Sequence, residues 1–347
     1  GRNGGTAGRN GGSPPPEAGP GGDPSLDSNE DSPSASRNRF TAMNNRRHFL
    51  TTTLGAALGT QISSCASLAG GGLIDAHVHV WTPDTEKYPL AQGFQKSDMK
   101  PASFTPEQLF AHCKPEGVSR IVLIQMSYYK TDNRYMLDMM AAHPGTFSGV
   151  AIIDETAADV RGRMKALKAQ GVRGFRLYPQ GTDVEGWLAS PGITEMWKVA
   201  AEENLNMCLL INPEALGPVA KMCARNPQTP VVIDHFARLG MKGSIDRAQL
   251  DRLLHLSKYP KVTVKTSAFY ALGKKQAPYL DLGPMIKECR DHFGADRLMW
   301  ASDCPFQVDP GHNYHDSIAL VRDRLDFLTA SDKAAMLRGT AERVFFS

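Results

Sequence analysis

The chain has 347 residues, of which 41% are hydrophobic and 22% are charged, and its formal net charge is +3. These values are typical of a globular protein rather than of a fibrous or wholly disordered one. So small a net charge, without a long basic run, excludes a nucleic-acid-binding surface.

The first 42 residues are rich in Gly, Pro, Ser, Asn and Arg and contain almost no large apolar side chain. Such a composition cannot bury enough surface to offset the loss of chain entropy, so residues 1–42 are predicted to be a disordered leader. Met43 is a candidate for the natural start, in which case residues 1–42 come from mis-assigned initiation. A genuine low-complexity leader is the alternative.

Residues 43–70 have the pattern of an export signal. The pair Arg46-Arg47 stands shortly before Phe49-Leu50, which resembles a twin-arginine signal, and a weakly apolar stretch runs on to Ile62. This stretch is too short and too polar for a permanent membrane anchor but suits a cleaved signal. The resemblance implies twin-arginine export to the periplasm. Cys65 ends a lipoprotein-like box and is a candidate lipid anchor; cleavage near residues 67–69 is the alternative.

Beyond residue 70, short apolar runs alternate with helical segments. Strands are predicted at residues 73–80, 120–125, 147–153, 172–177, 207–211, 231–234, 262–265 and 298–301. Helices are predicted at residues 105–114, 157–170, 193–203, 245–258 and 282–292. Eight strand–helix units in about 250 residues predict one (β/α)8 TIM barrel, an α/β fold, over residues 71–347. A doubly wound sheet is disfavoured because no Gly-rich turn follows the first strand.

Polar side chains follow three of these strands. His77 and His79 end the first strand, His235 follows the sixth, and Asp303 follows the last. Residues i and i+2 of a strand point to the same face. Three imidazoles and one carboxylate from three strands are therefore expected to converge at the carboxyl-terminal mouth of the barrel, where such folds place active sites. A carboxylate placed there is suited to take a proton from water.

Three segments together resemble the amidohydrolase-related family, closest to its sugar-lactone and pyrone-dicarboxylate lactonase branch. They are residues 73–81, 231–238 and 298–305, and the resemblance covers residues 73–345. It implies that Asp303 is the general base that activates water for attack on a lactone or related acyl carbon. It also implies that the three histidines either bind a divalent metal or polarise the substrate carbonyl.

The metal content is left open between two alternatives. Binuclear relatives need a Lys on the fourth strand and a His on the fifth, whereas this chain has Arg176 on the fourth strand and no His at residues 207–211. One zinc or manganese ion held by His77, His79, His235 and Asp303 is the first alternative, because these are suitable nitrogen and oxygen ligands. The metal-free mechanism of the pyrone-dicarboxylate lactonases is the second.

Two arginines point to an acidic small-molecule substrate. Arg176 and Arg238 each present a planar fork that fits a carboxylate, although a surface ion pair is an equal alternative for Arg238. Tyr178, Trp81 and Tyr270 are candidates to line the pocket or to pack in the core.

The segment that follows Asp303 bears on the choice of substrate. The resemblance implies a His shortly after the Asp in the dicarboxylate lactonases, whereas this chain has Cys304-Pro305-Phe306 there, which argues against the pyrone substrate. A sugar lactone or another ester remains. The alternatives to a lactonase are a non-oxidative decarboxylase on the same fold and a catalytically inactive exported binding barrel.

Overall fold

The computed structural model describes residues 71–179 and 181–347, and within them eight parallel strands follow one another around a barrel. This confirms the predicted (β/α)8 fold, with every predicted strand present. The strands are β1 (Leu73–Val78), β2 (Val118–Ile124), β3 (Phe147–Ala151), β4 (Val172–Leu177), β5 (Asn206–Leu209), β6 (Val231–Ile233), β7 (Val262–Thr266) and β8 (Leu298–Trp300).

Eleven α-helices of the described residues surround the strands or follow them. They are α1 (Pro106–Cys113), α2 (Arg134–Ala142), α3 (Val160–Ala169), α4 (Val184–Leu188), α5 (Pro191–Glu203), α6 (Leu216–Arg225), α7 (Arg247–His255), α8 (Gly283–Phe293), α9 (Tyr314–Ala319), α10 (Ala330–Ala334) and α11 (Thr340–Phe345). The five predicted helices correspond to α1, α3, α5, α7 and α8. Helix α1 begins where its sequence predicts, because Thr105 caps it, Pro106 opens it, and the Gln108 side chain accepts a hydrogen bond from the Thr105 N–H at 2.7 Å.

Strand residues alternate between two apolar cores. Val262 and Val264 of β7 pack in the larger core between strands and helices. A smaller core inside the barrel includes Val232 and Met299, and Phe345 of α11 packs against it. Because successive side chains of a strand point to opposite faces, Lys265 points into the barrel, toward this inner core.

The barrel closes between β8 and β1 at the carboxyl ends of these strands. Among the described residues this seam holds a single parallel bridge, between Val78 and Cys304. The Asp303 N–H donates to the His77 carbonyl at 3.0 Å, and the His79 N–H donates to the Cys304 carbonyl at 2.9 Å. Three of the four residues in these backbone bonds, His77, His79 and Asp303, are therefore ones predicted to carry the chemistry.

The side chain of Asp75 completes the seam. Its Oδ1 accepts hydrogen bonds from the backbone N–H groups of Ser302 at 2.9 Å and His77 at 3.2 Å, and its Oδ2 accepts from the Tyr314 hydroxyl at 2.8 Å. Burial raises the pKa of Asp75 from 3.8 to about 6, although these hydrogen bonds oppose the shift.

Asp75→Asn is expected to change how stability depends on pH. Between pH 4 and 6 the folded protein keeps a proton on Asp75 that the unfolded chain releases. The contribution of this carboxyl to the free energy of unfolding therefore falls as pH rises through that window, by about 1.4 kcal/mol per pH unit, and is constant above it. Urea unfolding from pH 4 to 7 should show the free energy of unfolding of the variant rising relative to that of the wild type between pH 4 and 6 only. If the two pH profiles of the free energy ran parallel, the raised pKa of Asp75 would be contradicted.

The predicted leader (residues 1–42), the predicted export signal (residues 43–70) and the candidate lipid anchor Cys65 lie outside the described residues. Disorder, periplasmic export and lipidation therefore stay predictions. In the part of the chain that the structure describes, none of the helices has the length and apolarity needed to cross a membrane.

Candidate active site

The four residues predicted to converge do meet at the carboxyl ends of the strands, and all four side chains are fully buried. Asp303 Oδ1 lies 3.4 Å from His77 Nε2 and 3.7 Å from His79 Nε2, while Asp303 Oδ2 lies 3.7 Å from His235 Nε2. The rings of His77 and His235 are 4.4 Å apart between centroids. One carboxylate is therefore surrounded by three imidazoles in a site shielded from bulk water.

The backbone that presents two of these groups is left-handed. Four consecutive residues, His235 to Arg238, have φ between 49° and 59°, and Asp303 has φ 66°. None of them is glycine, so each such residue costs on the order of 1 kcal/mol or more. The sequence carries no signal for this turn, which directs His235 into the barrel and leaves Arg238 at its mouth.

The ring nitrogens of His79 and His235 have partners outside the carboxylate. His79 Nδ1 lies 3.0 Å from the carbonyl oxygen of Ile124. A carbonyl only accepts, so His79 carries a proton at Nδ1, and in the neutral ring its lone pair is at Nε2. His235 Nδ1 lies 2.8 Å from the hydroxyl of Ser267. The hydroxyl both donates and accepts, so this contact orients the ring without fixing its tautomer.

A lysine that the sequence did not assign to the site reaches the first histidine from inside the barrel. Lys265 is fully buried, and its Nζ lies 3.1 Å from His77 Nδ1 and 3.0 Å from Asp234 Oδ1. The contact with Asp234 is an ion pair. The angles at this contact do not meet the geometry of a hydrogen bond, and neither carboxylate oxygen of Asp234 has a hydrogen bond to another described residue. A lysine within the β-branched run of β7 was the available signal, because a strand buried on both faces has no solvent side for it.

Burial lowers the pKa of His77 well below 6.5, and the charge of Lys265 adds to the effect. Burial likewise lowers the pKa of His235 well below its usual value, with the neighbouring His77 as the next cause. Both imidazoles are therefore neutral at pH 7. Each carries one N–H donor and one nitrogen lone pair, so the position of that proton decides what each ring can do.

Two aromatic candidates occupy different places. The Tyr270 hydroxyl donates to Asp303 Oδ2 at 2.8 Å, which places it beside the carboxylate that the three imidazoles surround. Trp81 is fully buried, donates its indole N–H to the Pro101 carbonyl at 2.8 Å, and packs against Phe306. Trp81 therefore belongs to the aromatic packing behind the site, the core alternative that the sequence had left open.

The two arginines lie at different depths. Arg176 is 3% exposed, and its Nε and Nη2 have no hydrogen-bond partner in the described part of the chain. Arg238 donates to the Asn212 side chain at 3.2 Å and lines a cavity of about 450 Å³ together with Tyr178 and Leu210. The residues that line this cavity follow the carboxyl ends of β4, β5 and β6, so the cavity adjoins the mouth of the barrel. Tyr178 therefore lines this cavity, and its predicted role in substrate binding stays a prediction.

The site contains three of the four predicted metal ligands in a compact group. One ligand atom each of His77, His79 and Asp303 lies within 4.8 Å of the others, so these residues could hold a metal ion. His235 is outside that group. The nitrogen and oxygen ligands suit zinc, but a metal-bound histidine donates the N–H of its second ring nitrogen to an acceptor, and His77 Nδ1 instead faces the ammonium of Lys265. The residues as arranged fit a metal ion poorly.

The Amidohydrolase family model matches residues 74–346. An L-fucono-1,5-lactonase of Burkholderia ambifaria is 26% identical over 69% of this chain and 82% of its own length. A 4-sulfomuconolactone hydrolase of Rhizobium radiobacter is 26% identical over 67% of this chain and 76% of its own. A 2-pyrone-4,6-dicarboxylate hydrolase of Comamonas testosteroni is 26% identical over 67% of this chain and 77% of its own.

Solved structures share the barrel. An amidohydrolase of Burkholderia multivorans superposes with a TM-score of 0.69 at 21% identity, covering 80% of this chain and 99% of the other. A putative 2-pyrone-4,6-dicarboxylic acid hydrolase of Pseudomonas putida gives 0.64 at 23% identity, covering 79% and 97%. At these identities the superpositions establish the fold.

Proposed function

The chain belongs to the amidohydrolase family, and on that premise we propose that it is a hydrolase that opens a lactone with a water molecule activated by Asp303. The observation that carries the proposal is the buried carboxylate of Asp303 among three imidazoles at the carboxyl mouth of the barrel. The curated relatives described above support the reaction class, because each is named as acting on a lactone or a pyrone, which is an unsaturated lactone.

In the proposed reaction Asp303 takes a proton from water while the water oxygen forms a bond to the lactone carbonyl carbon. The negative charge that develops on the carbonyl oxygen is stabilised by hydrogen-bond donors of the neighbouring imidazoles. When the ring C–O bond breaks, the departing oxygen takes the proton back from the Asp303 carboxyl, which leaves a hydroxy acid. No step of this sequence requires a metal ion.

Arg176 defines the substrate class within this proposal. A buried guanidinium whose Nε and Nη2 lack hydrogen-bond partners in the described structure is suited to a substrate carboxylate, which offers two acceptor oxygens. We therefore propose a lactone that carries an acidic group, over a neutral sugar lactone. Cys304, which follows Asp303, is buried, and burial raises the pKa of its thiol well above 9.0, so it offers the substrate no charge.

The test is hydrolysis of a panel of neutral aldonolactones and carboxylated lactones, followed by proton release with a pH indicator. We expect the carboxylated lactones to be opened faster, with no carbon dioxide released. Carbon dioxide release from an aromatic acid would replace the proposal with the decarboxylase. Absence of turnover together with tight ligand binding would favour an inactive binding barrel.

Arg176→Gln is expected to raise KM for a carboxylated lactone about 10²-fold, because a charge-assisted hydrogen-bond pair is worth about 2–3 kcal/mol. The same change should alter kcat/KM for a neutral lactone much less. Arg176→Lys is the matched control, since it keeps the charge and loses the fork, and it should give an intermediate KM. Steady-state kinetics on both substrates measure the difference. An equal loss on the two would show that Arg176 does not recognise the carboxylate.

A further inference from the structure

The contact between Lys265 and His77 fixes the position of a proton. An ammonium group has three N–H donors and no acceptor, so at 3.1 Å it can only donate to His77 Nδ1. His77 Nδ1 is then an acceptor, and the single proton of the neutral ring is on Nε2. The ion pair of Lys265 with Asp234 at 3.0 Å and the ring of Phe345 at 5.5 Å hold the ammonium in place.

The groups around His77 Nε2 agree with this assignment. His77 Nε2 lies 3.2 Å from His79 Nε2, and the neutral ring of His79, with its proton facing the Ile124 carbonyl, accepts at that nitrogen. It also lies 3.4 Å from Asp303 Oδ1, a second acceptor. One directed series of hydrogen bonds, from Lys265 through His77 and His79 to the Ile124 carbonyl, therefore satisfies every donor in it.

We propose that Lys265 is a positioning residue that makes His77 a hydrogen-bond donor at Nε2 and thereby keeps this site from binding a metal ion. A metal ligand needs a lone pair at Nε2 and a proton at Nδ1 that is donated to an acceptor, such as a carboxylate. Lys265 reverses both conditions. The Nε2–H of His77 can then donate to a substrate carbonyl oxygen in place of His79, and only this last assignment rests on the proposed function.

The first test uses the wild-type protein. Two-dimensional ¹⁵N–¹H NMR of histidine-labelled protein at pH 7 distinguishes a protonated from an unprotonated ring nitrogen, and His77→Gln identifies the His77 signals. We expect the His77 proton on Nε2 and the His79 proton on Nδ1. A His77 proton on Nδ1 would overturn the proposal.

The second test is zinc binding by calorimetry to Lys265→Met, with Lys265→Arg as the matched control that retains the donor. Without the ammonium, His77 can turn its Nδ1–H to Asp234 Oδ1, now 3.6 Å away, and present a lone pair at Nε2. We expect zinc affinity at least tenfold above wild type for Lys265→Met and unchanged affinity for Lys265→Arg. Equal affinity in all three would overturn the proposal.

Lys265→Met leaves Asp234 buried without its ion pair, so a variant that avoids this charge is needed. Lys265→Met combined with Asp234→Asn removes both charges and keeps a carbonyl oxygen that can accept from His77 Nδ1. It should show the same gain in zinc affinity, and circular dichroism verifies its fold. Neither NMR nor zinc titration uses a substrate, so a failure of lactone hydrolysis would defeat the proposed function and leave these results as they stand.

Discussion

Asp303→Asn is expected to lower kcat for lactone hydrolysis about 10³–10⁴-fold, the upper part of the range for removal of a general base. The amide has nearly the shape of the carboxylate, and its oxygen still accepts the hydrogen bond from Tyr270, but it cannot take a proton from water. KM should change little, because the substrate carboxylate binds elsewhere, at Arg176 in the proposed arrangement. Steady-state kinetics with the fastest lactone of the panel measure both constants.

The control for this variant is its fold and its ligand affinity. Thermal unfolding of Asp303→Asn should match the wild type, and calorimetry should give a similar Kd for a slowly hydrolysed lactone. A kcat within tenfold of the wild type would remove Asp303 from the role of base. Tyr270→Phe keeps the carboxylate and removes the hydrogen bond at 2.8 Å, so a loss in kcat of about tenfold is expected for this variant.

Asp234→Leu is expected to have the largest effect on stability, about 3–5 kcal/mol in the free energy of unfolding. Asp234 and Lys265 are both fully buried, so removing the carboxylate leaves an ammonium inside the barrel with no opposite charge 3.0 Å away. Urea unfolding at pH 7 measures the change. Circular dichroism at zero urea shows whether the variant is still folded.

Two comparisons separate the loss of the ion pair from general damage to the core. Asp234→Leu combined with Lys265→Met should recover most of the loss, because replacing both buried charges with apolar groups is often close to neutral. Glu185 pairs with Lys221 at 2.9 Å, but their side chains are 54% and 59% exposed. Glu185→Leu should therefore cost about 1 kcal/mol or less. If Asp234→Leu lowered the free energy of unfolding by as little as Glu185→Leu does, the buried ion pair with Lys265 would not be what stabilises the barrel.

The residues that end strands were predictable because strand periodicity and barrel geometry determine where such side chains go. His77, His79 and Asp303 each follow a run of apolar residues, and a closed parallel barrel brings the ends of all its strands to one mouth. Arg176, one residue before the end of β4, was predictable for the same reason. The tight group of metal ligands excludes His235, because its left-handed turn directs the ring to the other oxygen of Asp303.

The supporting residues were not predictable, because their roles depend on contacts between distant strands. Lys265 and Asp234 form their ion pair only once β6 and β7 lie side by side. The sequence predicts only that Asp75 lies within an apolar strand. In the structure its carboxylate completes the seam by accepting hydrogen bonds from the Ser302 N–H and the Tyr314 hydroxyl. Phe236 lies in the left-handed turn, which normally requires residues such as Gly or Asn.

The seam between β8 and β1 also determines when, during folding, the protein becomes active. Asp75 and Ser302, which bond across it, are 227 residues apart, so their contact closes nearly the whole described chain into one loop. Such non-local contacts form slowly, because the entropy of loop closure is lost before any contact compensates for it. A nascent chain without β8 can bury much of its core, but it holds His77 and His79 without Asp303, the proposed base. Catalytic activity during refolding should therefore recover only after strand pairing is complete, which makes it a probe of the final closure.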